Sequence, residues 1–397
     1  MKKSLLIMSS LLLFGSCSSA RNSNNVIMYS VSTSADGVRT ANVAVSSSFS
    51  MENLTIPTTI SFEGNDYTVT GIRADAFKGN KYIKKVNFPD TITWVGWDAF
   101  KECKNLEYVN LGKGLASLGD HVFSYSNKLN VVEGGDNLKT LYKGVFEGTS
   151  IKSINFPSLE KMDIDCFWNN QSLKEVTFGD SLVSISGSAF EKCSSLERVN
   201  LSSNTTEIGN YAFKDCSKLK DIDFSHFDSI GIASFAYTGI EKVDIKKCRV
   251  YHSAFRNCKS LTAVNYESEE IPYKLFGNCD NITSVTLKGV KTIGSNAFVN
   301  DPLTSINIPS SVEYINSEAF SNCKLNTLTF ENDSNLKSIH RKAFYNNPLS
   351  GEITLPQNIE KIYAYAFKKT KLNKINISSK TEYEKNIADE KCIIEAY

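Results

Sequence analysis

The ten cysteines and four histidines of this chain are the residues best suited to redox, nucleophilic or metal chemistry. A zinc site needs such ligands at short fixed spacings, and no two cysteines here have the two-residue spacing of a zinc knuckle. His121, His226, His252 and His340 are far apart in sequence. There is no His-Glu-x-x-His, no nucleophile elbow, no phosphate loop and no dinucleotide glycine fingerprint. Asp and Glu are plentiful but scattered. These absences predict no catalytic residues, no metal and no cofactor, hence no enzyme.

The cysteines have a different order. Cys103, Cys193, Cys216, Cys258, Cys279 and Cys323 each follow a phenylalanine by three residues. Elsewhere the same place is taken by Asn80, Ser126, Thr149, Asn170, Thr238 or Asn347. A small polar side chain there can bond the backbone of a tight bend, and cysteine serves as a small buried group with a weak donor. Cys193/Cys216 and Cys258/Cys279 stand one interval apart, within disulfide reach by strand spacing. Stacked side chains run parallel, which disfavours disulfide geometry, so buried free thiols are expected.

Those phenylalanines set the rhythm of the chain. Fourteen of them, from Phe77 to Phe367, recur every 20 to 24 residues. Five residues before each stands an aliphatic or Met side chain, from Ile72 and Val95 to Ile339 and Ile362. After each Phe come a Leu or Ile and then an alternating trio such as Val109-Asn110-Leu111 or Val199-Asn200-Leu201. A sustained period of this length marks a solenoid whose coils cannot bury their apolar side chains alone. In each trio the outer two residues point inward and the middle one outward. Two coils break the pattern. Gly134 replaces an inward apolar residue after Val131-Val132-Glu133, and Leu349 to Leu355 is out of step by one residue. Local bulges are expected at both.

The string Leu106-x-x-Val109-x-Leu111, continued by Leu118-Gly119, resembles the BspA-like leucine-rich repeats of bacterial surface proteins. Ile208-Gly209 leading to Ala212-Phe213 and Ile293-Gly294 leading to Ala297-Phe298 are the fullest examples. The resemblance implies a β-rich solenoid: a right-handed superhelix of about 14 coils with a parallel β-sheet on its concave face. It also implies adhesion through protein–protein contact. The expected organisation is an N-terminal β cap over 26–71, the repeats over 72–378 and a C-terminal cap over 379–397. Asp36-Gly37 and Gly64-Asn65-Asp66 are the turns of two hairpins in the first cap. The tail from Lys380, apolar at Ile393-Ile394, reads as the far lid, with a short helix as one option for it.

The N-terminus reads as an export signal. Lys2-Lys3 precedes an apolar run from Leu5 to Phe14, too short to span a bilayer, and Gly15-Ser16-Cys17 resembles a bacterial lipobox. Residues 1–17 are then a lipoprotein signal, Cys17 the lipid attachment point and 18–25 a flexible tether. The protein is expected to cross the inner membrane and to be held in the outer membrane by lipid alone. Ser18-Ser19-Ala20-Arg21 lacks an acidic export tag, and the surface and periplasmic sides both remain open.

Composition narrows the partners. With 44 basic and 43 acidic residues the net charge is +1. That balance excludes nucleic acid as the main ligand, since phosphate binding needs a basic excess. The outward trio residues are a nearly uniform row of Asn, Thr and Asp, including Asn200, Asp223 and Asp244. Beside it the outward residue two places earlier varies freely, most charged at Glu175, Arg198, Asp221 and Lys242. This central stretch is the expected contact for an extracellular or envelope protein. Trp94, Trp97 and Tyr108 offer a competing aromatic surface for a glycan. Asp90-Thr91-Ile92, Asp180-Ser181-Leu182 and Asp228-Ser229-Ile230 resemble the O-glycan acceptor triplet of Bacteroidota envelope proteins.

Overall fold

An alternating trio can bury two side chains per strand only if another strand lies beside it, and in this protein each trio strand finds its partner one repeat away. The computed structural model describes residues 12–15, 27–44, 46 and 49–397. Cys17, the tether 18–25 and most of the signal 1–17 lie outside the described residues. The chain forms two compact units, Met1–Thr205 and Thr206–Tyr397. Each is a parallel β-solenoid, and no α-helix occurs among the described residues.

In the first unit the trio strands Lys85–Asn87, Tyr108–Asn110 and Val131–Glu133 pair in parallel, with Val86, Val109 and Val132 in register. A second row of two-residue strands, Trp94–Val95, Ser117–Leu118, Thr140–Leu141 and Lys161–Met162, pairs in parallel along the other wall. Their inward members Val95, Leu118, Leu141 and Met162 are buried. Between the walls run the phenylalanine rings. From Phe77 to Phe190 successive centroids are 5.1 to 5.6 Å apart, with ring planes within 19°. In the second unit the stack from Phe213 to Phe367 runs at 5.3 to 5.7 Å. Each fully buried ring contributes roughly 3 kcal/mol by removal from water, which only a neighbouring coil makes available.

The bend carrying each Phe is built from left-handed residues. The residues two before and two after every repeat Phe have positive φ, as at Asp75 (57°) and Gly79 (66°), or Ala233 (49°) and Tyr237 (62°). Such a conformation costs a non-glycine residue about 1–2 kcal/mol. It turns alternate peptide units the same way along the stack. Phe77 N–H donates to Ala99 O, and Phe100 N–H donates to Val122 O. Asp75 and Gly79 N–H donate likewise to Trp97 O and Lys101 O. Three aligned inter-coil bonds per bend offset the backbone strain.

The residue three after each Phe closes the bend. The thiols of Cys103, Cys193, Cys258 and Cys323 donate at 3.1 Å to the Phe carbonyl of the preceding coil, namely Phe77, Phe167, Phe235 and Phe298. Asn80, Ser126, Asn170 and Asn347 send an amide or hydroxyl to Phe49, Phe100, Phe146 and Phe320. The nine described cysteines are all free thiols and all but Cys392 are buried.

The repeat begins before the first regular Phe and ends after the last. Within 26–71, Phe49 packs edge-on against Phe77 at 6.0 Å, and Asn53–Thr55 pairs in parallel with Lys85–Asn87. Ile27–Thr33 and Arg39–Val43 form one hairpin, and Thr59–Phe62 with Asn65–Ile72 the other. At the far end the strand Glu382–Tyr383 continues the wall and Ile393–Ala396 pairs with Lys371–Ile377. The tail therefore adds strands, and the helix considered for it is absent.

Candidate functional site

The trio sheets are not continuous, and the two irregular coils mark places where they part. Val131–Glu133 pairs with Tyr108–Asn110 and Ser153–Phe156 with Glu175–Phe178, but no ladder joins Val131–Glu133 to Ser153–Phe156. At the gap Gly134 and Gly135 take φ of 75° and 83°. A Cβ on Gly135 would meet Phe156 at 3.0 Å and Leu111 at 3.1 Å, so only glycine fits. The gap opens a cleft of about 420 Å³ lined by Gly134, Asp136, Ser153, Asn155, Glu175 and Thr177.

Beside this cleft the side chains are tied across strands. Arg198 donates to Glu175 at 2.8 Å, and Asn200 donates to Glu175 at 3.2 Å and to Thr177 at 2.9 Å. The Arg198 guanidinium, then the Asn200 amide, hold the Glu175 carboxyl below the ordinary carboxylate range. Glu175 in turn raises Arg198. Both are solvent-exposed, so the pair contributes geometry more than stability.

The second unit repeats the arrangement. At the coil of Leu349 to Leu355 the pairing of Ser350–Thr354 with Lys371–Ile377 slips between Gly351 and Glu352, and Gly351 has φ of 80°. Ser350–Thr354 has no ladder to Thr327–Phe330, and a cleft of about 560 Å³ lies there, with Glu331, Asp333, Glu352, Thr354 and Gln357 among its walls. Asn376 donates to Glu352 at 2.5 Å and to Thr354 at 3.1 Å, while Lys374 lies 3.6 Å from Glu352 and pairs more closely with Glu395 on the strand beyond it. Thus Glu-x-Thr on one strand faces a cation-x-Asn on the next, beside a cleft, once in each unit. Glu352, Thr354, Lys374 and Asn376 were not singled out from sequence. The repeated pairs Glu175-Val-Thr177/Arg198-Val-Asn200 and Glu352-Ile-Thr354/Lys374-Ile-Asn376 were the available signal.

Of the residues expected to form the contact, Glu175, Arg198 and Asn200 come together in the first unit. Lys242 and Asp244 lie in the strand Lys242–Lys246 of the second, with Asp244 3.9 Å from Lys246. Asp221 and Asp223 fall in a coil whose trio forms no strand. Asp223 there accepts from the Ser225 hydroxyl and from Ser225 N–H, the latter at 2.9 Å, and the two hold its carboxyl low. The aromatic set divides between two sheets. Trp94 stands in the wall row with its ring over Gly71, whose Cβ would meet it at 2.3 Å. Tyr108 stands in the trio row and donates to Glu133 at 2.6 Å. Trp97, 61% exposed, is the most open of the three. Among the three acceptor triplets, Ser181 is exposed, whereas the hydroxyl oxygen of Thr91 is buried without a hydrogen-bond partner.

Among the described residues no group of three His, Cys, Asp or Glu side chains could hold a metal. One cluster has the composition of a nucleophile–base pair: Ser124, His121 and Glu147. Ser124 donates to Glu147 at 3.1 Å and His121 lies 3.3 Å from the same carboxylate. The hydroxyl therefore points at the acid instead of the imidazole, and Ser124 is fully buried. That order does not prepare a nucleophile.

Comparison with known proteins agrees with this architecture. The model of the BspA type leucine rich repeat region matches in six copies over residues 44–174, 158–262 and 269–394. A leucine-rich repeat protein from Bacteroides ovatus superposes with a TM-score of 0.71 at 23% identity, covering 93% of this chain and 98% of that one. A leucine rich cell surface protein from Faecalibacterium prausnitzii gives 0.50 at 22% identity, covering 80% and 95%. Comparison with curated proteins gives no match.

Proposed function

The chain belongs to the BspA-type leucine rich repeat family, whose repeats support a protein-interaction role, and on that premise we propose that it is a non-enzymatic, envelope-anchored adhesin. It binds host or neighbouring-cell proteins through the outward residues beside its two clefts. The carrying observation is the recurrence of one constellation in both units: Glu175, Thr177, Arg198 and Asn200 beside one cleft, Glu352, Thr354, Lys374 and Asn376 beside the other. Cross-strand bonds fix these side chains before any partner arrives, which lowers the ordering cost of binding. Arginine held in that way is a frequent interface anchor. Lipid on Cys17 would hold the protein at the outer membrane, an assignment supported by the lipobox-like Gly15-Ser16-Cys17.

The test is binding to a panel of purified extracellular-matrix proteins, with a glycan array in parallel. Arg198→Glu and Lys374→Glu should each weaken capture of a bound matrix protein about tenfold or more while leaving the thermal midpoint unchanged. Replacing Trp94 and Trp97 should leave that capture intact. Capture that is indifferent to both charge reversals, or glycan binding lost with the tryptophans, would overturn the reading. Radiolabelled palmitate incorporation that survives Cys17→Ala would remove the anchor.

A further inference from the structure

In the ladder of donors behind the phenylalanines, a residue of the Cys103, Ser126 or Asn170 kind three after a Phe reaches back to the preceding Phe carbonyl, whereas threonine there, at Thr149, Thr238 and Thr370, bonds the carbonyl of its own Phe. Every repeat Phe carbonyl from Phe77 to Phe367 accepts a hydrogen bond except that of Phe276, at which no donor is directed. By ladder position its donor should be Asp301, three residues after Phe298 in the following coil. Asp301 is 1% exposed. Its Oδ1 accepts from Cys279 N–H at 2.6 Å, while its Oδ2 is buried without a partner. One buried acceptor and one buried carboxylate oxygen are thus both unmatched, between the same two coils.

Two other coils show what belongs there. Ser126 accepts from Cys103 N–H at 3.0 Å and donates to Phe100 O at 2.8 Å. Asn347 accepts from Leu325 N–H at 3.0 Å and donates to Phe320 O at 2.8 Å. Each bridges the preceding coil by one acceptor and one donor. Asp301 has the acceptor, but an ionised carboxylate has no donor to complete the bridge. A proton on Oδ2 supplies it.

We propose that Asp301 is carried as the neutral acid, its Oδ2–H donated to the Phe276 carbonyl, and that loss of this proton to solvent loosens the stack between the coils of Phe276 and Phe298. The surroundings favour the neutral form. Burial holds the Asp301 carboxyl well above the ordinary range, against the Cys279 N–H bond that favours its charge. Asp280 adds repulsion, and Lys259, which would oppose it, is paired with Asp280 at 2.7 Å. The thiols packed on it, Cys279 and Cys323, donate to Phe255 and Phe298 and give Asp301 no proton. The sign follows: an acid raised on folding stabilises most below its unfolded pKa and loses that stabilisation as pH rises through the folded value.

Two measurements test it. Infrared spectra of the whole protein at neutral pH should contain a neutral carboxylic acid carbonyl band that Asp301→Asn removes and alkaline pH abolishes. Thermal midpoints between about pH 6 and about pH 10 should fall for the parent as pH rises. In Asp301→Asn, and in Asp301→Ser built on the Ser126 bridge, that fall should shrink, with a midpoint roughly 5 °C above the parent at neutral pH. A spectrum without the band overturns the neutral acid, even if the variants misfold. A parent and an asparagine variant with the same pH slope overturn the switch.

Discussion

The Cys193 thiol donates to the Phe167 carbonyl one coil back across 3.1 Å, in the place where Ser126 reaches Phe100 across 2.8 Å. The two side chains do the same work, so the cysteines here are backbone clamps. Cys193→Ser should stay within about 1 kcal/mol of the parent in urea denaturation. Cys193→Val should lose about 1 kcal/mol, because the carbonyl loses a donor that a methyl group cannot replace.

The same burial makes these thiols inert. It pushes Cys103 and Cys193 up to about 12. Alkylation at neutral pH, read by mass spectrometry, should therefore modify Cys392 first among the described cysteines and spare the eight buried ones until the chain unfolds.

The bends give opposite signs for one substitution. Ala233 has a φ of 49°, whereas Ala254, just before Phe255, lies outside the left-handed region. Ala233→Gly should stabilise by about 1 kcal/mol by relieving the Cβ clash. Ala254→Gly should destabilise by a similar amount, from lost chain entropy and a lost buried methyl. Denaturant midpoints of the pair check both signs.

Truncating the ring stack should be severe. Phe320 lies 5.3 Å from Phe298 and 5.4 Å from Phe344, fully buried. Phe320→Ala should cost about 3–5 kcal/mol, with faster amide exchange in the flanking coils. An effect below about 1 kcal/mol would mean that the stack does not hold the coils together.

His340 predicts an acid-side effect. Its ring stacks on Tyr363 at 4.6 Å, and burial holds its pKa below 6.5. A base lowered on folding keeps full stability above its unfolded value and loses it as pH falls through the folded one. Proton NMR should show His340 titrating below 6.5, and His340→Phe should reduce the loss of thermal midpoint on acidification.

The period of the phenylalanines, the aliphatic five residues before each and the alternating trios were enough to determine a parallel solenoid, since each of these side chains can be buried only by its copy one repeat away. Of the two bulges expected, the one in Leu349 to Leu355 is the register shift between Gly351 and Glu352. At Gly134 the ladder is regular and simply ends where Gly134 and Gly135 turn left-handed, so that both coils interrupt the sheet. Periodicity could not show that those interruptions open clefts, because a cleft depends on how far two strands part after their hydrogen bonds are lost. Periodicity does place Trp94 beside Val95 and Tyr108 beside Val109, hence in different rows, but not the Trp94 ring against Gly71, which depends on the contact between coils. Asp301 was hidden for another reason. Its type is ordinary at a bend, and only burial of Oδ2 opposite the bare Phe276 carbonyl distinguishes a neutral acid from a solvated carboxylate. Spacing fixes which residues repeat; the distances across coils decide which of them are left without a partner.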